Sequence, residues 1–153
     1  MGYLQQLGLE GSTYDKFPVV DVPGHFCWRG WEQIGAELLQ ASEKFGKQAV
    51  IAIECYSGVL DDEIVLNLTR AFPGALFIRT EVEAFRSPDE IDALVAPDLG
   101  GDDPIFGRLT RLHLRDFLDP DKVSAIRART KSADRPVVIY GPGALLCCEP
   151  CLV

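Results

Sequence analysis

An apolar run, Val50-Ile51-Ala52-Ile53, leads directly into Glu54-Cys55-Tyr56-Ser57-Gly58-Val59-Leu60-Asp61-Asp62-Glu63. A buried strand, a short loop and a helix start, in that order, form the outline of a phosphate-binding turn, whose sequence form is G-x-x-x-x-G-K-[ST]. The side chains here invert that chemistry. Cys55 stands at the first Gly, Leu60 and Asp61 at the second Gly and the Lys, and Asp62 at the Ser or Thr that would hold magnesium. Ordinary P-loop phosphoryl transfer is therefore not expected, and without the Lys a triphosphate should bind weakly. Ser57 and Gly58 still offer a backbone cradle at a helix N-terminus, which favours anions. Asp61, Asp62 and Glu63 admit two readings: they cap the helix, or they hold a divalent cation or a sugar hydroxyl. Glu54, Ser57, Gly58, Asp61 and Asp62 are thus candidate ligand-binding residues, and Asp62 is a candidate ligand for magnesium, which prefers hard oxygen donors.

Other groups with chemical potential are more scattered. Asp98-Leu99-Gly100-Gly101-Asp102-Asp103 resembles an acidic metal loop, with Asp102 as candidate ligand, but lacks the alternating acids and final Glu of an EF-hand; a turn or lid is the plainer alternative. In Gly141-Pro142-Gly143 the proline removes a donor that a phosphate nest would use, which favours a simple turn. Trp28 is a candidate for stacking on a ring, whereas Trp31 fits a core stripe. His25 has no nucleophile paired with it in sequence, and His113, between two leucines, reads as structural. Among the five Cys, Cys148-x-x-Cys151 has zinc or redox spacing without a second ligand pair, and beside Cys147 these read as free thiols.

The elements that must position these residues follow from periodicity. Trp31, Ile34, Leu38 and Phe45 fall at helical spacing, with Gly46 as a stop. Gln48 to Ile53 reads as a strand buried on both faces. Ile64, Val65, Leu68 and Phe72 mark a second helix ended by Pro73-Gly74, and Ala75 to Arg79 a second strand. Ser87-Pro88-Asp89-Glu90 is a capping box before a helix carrying Ile91, Leu94 and Val95. Leu109 to Leu114 is ambiguous between strand and helical turn. Asp119-Pro120 starts a helix with Val123 and Ile126 inward, and Pro136 to Tyr140 is the last strand. This alternation predicts an α/β fold, a three-layer, mostly parallel sheet with flanking helices, P-loop-kinase-like. Its sites should lie beyond the carboxyl ends of the strands, at Glu54 to Asp62, after Arg79, and at Gly141 to Gly143. Residues 1–12 read as a flexible lead-in and 13–153 as one domain. No closing helix is expected before the chain stops at Val153, so a longer parent chain is expected.

The 153 residues, with 47% hydrophobic and 25% charged content, suit one globular domain. The net charge of −8 speaks against nucleic-acid and anionic-membrane surfaces. No apolar run is long enough to cross a bilayer and no signal peptide is evident, so a cytoplasmic location is expected. Basic residues gather late, at Arg108, Arg111 and Arg115 and at Arg127, Arg129, Lys131 and Arg135, as a solvated helix face or a small phosphate site.

Five segments together carry a family likeness: Tyr14-Asp15-Lys16-Phe17-Pro18, Cys27-Trp28-Arg29-Gly30-Trp31, Glu54-Cys55-Tyr56-Ser57-Gly58, Gly101-Asp102-Asp103-Pro104-Ile105-Phe106-Gly107 and Tyr140-Gly141-Pro142-Gly143-Ala144. From Tyr14 to about Pro150 the chain resembles the N-terminal, kinase-like domain of long bacterial class I mannose-6-phosphate isomerase-like proteins. That resemblance implies carbohydrate metabolism, a C-terminal cupin isomerase domain as partner, and zinc held only in that cupin. No isomerase residue carries over onto this sequence, so catalysis is not expected from this chain alone. The expected role is binding or regulation, with a sugar phosphate or nucleotide as ligand. A sugar or nucleoside kinase-like phosphotransferase with an acidic loop, or a non-catalytic docking domain, are the alternatives.

Overall fold

The computed structural model describes residues 23–24, 27–56, 58–100, 107 and 109–148. The expected lead-in, Ser57, His25, Asp102 and Cys151 lie outside them. The framework is a small, open, parallel sheet of three strands, β1 (Val50–Glu54), β2 (Leu76–Arg79) and β3 (Val137–Gly141), in the order β1-β3-β2. Val50 to Glu54 pair in register with Val137 to Gly141, and Leu76 to Arg79 with Val137 to Tyr140. The last strand in sequence is therefore the central one, and all five of its residues are buried.

Side chains alternate across a strand, and β3 shows what each face meets. Val138 and Tyr140 pack with Leu68 of α2 (Asp61–Ala71) and with Phe72 at its C-cap, while Trp31 and Leu38 of α1 (Trp31–Glu43) close the same cluster. Val137 and Ile139 pack on the opposite face with Ile78, Leu118 and Ile126. Ile126 belongs to α5 (Pro120–Ser132), which carries the chain from β2 back to β3. Between β2 and α5 lie a single turn, α3 (Thr80–Glu83), the helix α4 (Pro88–Val95), and a 3₁₀ turn, Leu114–Phe117.

Local chemistry sets the ends of these elements. Gln48 was expected in the first strand, but Gly46–Gln48 forms a 3₁₀ turn closed by the Ala49 N–H on the Gly46 carbonyl at 3.2 Å, so pairing begins at Val50. The Ser87 box forms as expected: Ser87 N–H donates to the Glu90 carboxylate at 2.9 Å, and Glu90 N–H to the Ser87 hydroxyl at 3.4 Å. Asp119 caps α5 by accepting from Asp121 N–H at 2.8 Å and Lys122 N–H at 3.2 Å. The ambiguous Leu109–Leu114 segment enters the 3₁₀ turn, where His113 N–H donates to the Asp116 carboxylate at 2.7 Å; His113 itself is exposed.

The caps tie stability to pH. Hydrogen bonds from the Ser87 side chain, then its backbone, hold the Glu90 carboxyl below its ordinary 4.5. The Lys122 N–H holds Asp119 below its ordinary 3.8, with the Asp121 N–H adding and burial opposing. Both folded values are depressed, so this contribution is complete above the ordinary values and is lost as pH falls through the folded ones. Ser87→Ala should lower stability by about 1 kcal/mol near neutral pH and flatten the acid limb of urea midpoints against pH; an unchanged limb would show that the box does not form in solution.

One expectation is corrected at the end of the sheet. The strand β3 is followed by a single helical turn, α6 (Ala144–Cys147), where none was expected. Ala144 and Cys147 are fully buried against the Val137–Ile139 face. Small residues at these positions let the turn close directly onto the sheet.

Candidate functional site

Adjacent strands whose connections leave toward opposite faces open a crevice at their carboxyl ends. Here β1 continues into α2 on one face, and its neighbour β3 continues into α6 on the other. The three loops named from sequence do converge at this end. Glu54, the last residue of β1, spans the crevice: its carboxylate accepts from Gly143 N–H and, at 3.0 Å, from Leu145 N–H. The carboxylate offered above as a ligand group is thus engaged with the chain's own backbone. Cys55 N–H donates to the Gly141 carbonyl at 3.3 Å, extending the β1–β3 pairing by one residue.

The β2 end contributes a group that strand patterning did not mark. Arg79 forms ion pairs with Asp61, at the start of α2, and with Glu81, in α3, the latter at 3.1 Å. Its side chain is about one-third exposed at 36%, yet its Nε is sheltered from solvent and has no hydrogen-bond partner among the described residues. A sheltered guanidinium N–H without an acceptor is costly. The hydrogen bond to Glu81 raises the Arg79 pKa further, with Asp61 adding, so the charge is permanent.

Two more groups face the same mouth. Tyr140 is buried on β3, and burial raises its hydroxyl pKa, with Arg79 opposing and Asp61 and Glu81 adding. Cys55 is buried, and burial raises its thiol pKa, opposed by a hydrogen bond from the Gly141 backbone to the sulfur and reinforced by Asp61, Glu54 and Glu81. A thiol held protonated is a poor nucleophile. Cys147 is pushed up to about 11 by burial, which makes it inert.

The remaining sequence candidates separate. The acids of the opening segment do not cap α2 through their side chains: the N-cap is Leu60, without a side-chain cap bond. They lie in the first turn, where they complement the helix dipole, and two are used elsewhere. Asp61 meets Arg79, and Glu63 accepts from the Trp31 indole N–H at 2.6 Å, tying α1 to α2. Asp62 is exposed, Gly58 is exposed with φ +100°, and Trp28 is 47% exposed ahead of α1. Among the described residues, no group of three or more His, Cys, Asp or Glu is arranged to hold a metal. Asp61, Glu54 and the two flanking loops are therefore brought together; Asp62 and Trp28 are exposed. Arg79 and Glu81 were missed as site residues. The available signal was a lone basic residue ending an apolar strand, followed by Glu81 and Glu83.

A family model described as "Domain of unknown function (DUF8485)" matches residues 30–153, and the chain belongs to that family. No curated protein and no solved structure matches the chain. Among the described residues no helix is long and apolar enough to cross a membrane.

Proposed function

We propose that this domain binds a sugar phosphate at the carboxyl ends of its strands, chiefly through the sugar hydroxyls, and serves a binding or regulatory role rather than transferring phosphoryl groups. The observation that carries this reading is the Asp61–Arg79–Glu81 constellation, with the sheltered Arg79 Nε left as an unmatched donor. Carboxylates accept and a guanidinium donates, which together suit the paired donor and acceptor of vicinal hydroxyls. Charge decides against a triphosphate. Glu54, Asp61 and Glu81 outnumber the one guanidinium, so repulsion grows with ligand charge and penalises a triphosphate more than a monophosphate ester held by its sugar end, and Asp61 stands where a P-loop has its Lys.

The resemblance to mannose-6-phosphate isomerase-like proteins supports the choice of sugar. Under this reading isomerase chemistry, and the zinc it uses, reside in a cupin domain of a parent chain. The kinase-like scaffold remains part of the proposal, supported by the strand–loop–helix at β1 and the order β1-β3-β2. Magnesium is left out of the proposal: Asp62 is exposed, and among the described residues no group of three or more His, Cys, Asp or Glu is arranged to hold a metal.

Calorimetric titration separates the alternatives. Mannose 6-phosphate should bind in the micromolar to low millimolar range, and ATP more weakly, with or without magnesium. Magnesium-dependent ATP binding tighter than that of the sugar phosphate would overturn the proposal in favour of a phosphotransferase.

A further inference from the structure

We propose a second binding site, for a small amphipathic anion, in the groove between the Leu114–Phe117 turn, the start of α5 and the α6 turn. The ligand class is an apolar body bearing one carboxylate, sulfonate or phosphate. The groove measures about 350 Å³, and Arg86, Arg115 and Arg127 line it from three different segments. That volume suits a small molecule. In a chain with 15 basic and 23 acidic residues, three arginines and one acid lining one hollow run against the prevailing charge.

Arg86 feels the Glu90 and Asp119 carboxylates, but none of the three arginines is held in an ion pair among the described residues, where the ion pairs of arginine are made by Arg79 and Arg129. Arg86 donates its Nε to the Asp116 carbonyl at 2.8 Å, and Arg127 donates a terminal nitrogen to the Leu146 carbonyl at 2.8 Å. Each contact fixes the side chain through one nitrogen and leaves other donors of the fork unused. Arg115 is exposed. Asp116, the one acid in the lining, has its carboxylate on the His113 N–H, and nearby Asp119 is turned onto its own helix. Guanidinium forks match carboxylate and phosphate oxygens and are weakly hydrated.

The floor selects against a bare inorganic ion. Leu118, Val123 and Leu146 line it, and Leu146 is 40% exposed. An apolar body would cover that surface while its anionic end met the arginines. The groove shares no residue with the Asp61–Arg79–Glu81 mouth, so the two sites stand or fall separately.

Anilinonaphthalene sulfonate is a suitable probe, with phenyl-naphthylamine as its uncharged counterpart and inorganic phosphate as the bare anion. The sulfonate should bind saturably and raise its fluorescence, with amide shifts centred on Leu118, Val123 and Leu146. The uncharged probe and inorganic phosphate should each bind about tenfold more weakly or less. Arg115→Gln should weaken the sulfonate severalfold, and Arg115→Gln with Arg127→Gln about tenfold or more. Arg115 is exposed and its side chain makes no hydrogen bond or ion pair among the described residues, so the single variant keeps its melting transition and isolates the charge. Equal binding of the charged and uncharged probes, unchanged binding in both variants, absence of saturable binding, or shifts centred elsewhere would each overturn the proposal.

Discussion

Gly141→Ala is expected to lower folding stability by about 3 kcal/mol or more. Gly141 ends the central strand with φ +119°, a region that L-residues rarely adopt. A Cβ there would lie 2.3 Å from the Thr80 Oγ1. Thr80 cannot retreat cheaply: it is fully buried and donates its hydroxyl to the Tyr140 carbonyl at 3.3 Å. Backbone strain and overpacking therefore act together where β2 and β3 turn into the site. Gly58→Ala is the control, because Gly58 has φ +100° with open space around its would-be Cβ. It should lose only the backbone part, about 1–2 kcal/mol. Urea unfolding measures both; equal losses would show that Thr80 does not press on Gly141.

Arg79→Gln is expected to weaken sugar-phosphate binding by about thirtyfold while leaving stability nearly unchanged. A hydrogen bond to a charged group is worth about 1.5–3 kcal/mol when its partner is desolvated, and each 1.4 kcal/mol is about tenfold in affinity. The ion pairs with Asp61 and Glu81 are about one-third solvated, and such pairs contribute only about 0–1 kcal/mol to folding. Arg79→Lys should recover part of the affinity, since it keeps the charge but loses the planar fork. Calorimetry on the three proteins decides this. Equal affinities would remove Arg79 from the site, and a lowered melting point matching the lost affinity would give it a structural role only.

The fold was legible where its causes are local. The three strands, the helix stop at Pro73-Gly74, the Ser87 box and the Asp119 cap all rest on neighbours in sequence. Strand order was not legible, because β3 takes the centre through contacts with strands sixty and more residues earlier. The α6 turn was missed because its stabilisation comes from burying Ala144 and Cys147 rather than from helical periodicity. In the site, Glu54 and Asp61 stood out as acids beside a β-strand loop, but their partners are distant. Glu54 reaches Gly143 across the crevice, and Asp61 reaches Arg79 across two elements. Both pairings depend on which strands become neighbours, so neither spacing could show them. The acids also changed meaning in three dimensions: one spans the crevice, one holds a guanidinium, and Glu63 locks two helices together.

The most direct measurement is the map of amide chemical-shift changes when mannose 6-phosphate is titrated into the nitrogen-labelled chain. Binding at the strand ends predicts saturable shifts concentrated at Glu54 and Cys55, at Asp61, from Arg79 to Glu81, and at Gly141 and Gly143. No shifts at millimolar sugar phosphate, or shifts centred away from these residues, would contradict a sugar-phosphate site at the carboxyl edge of the sheet.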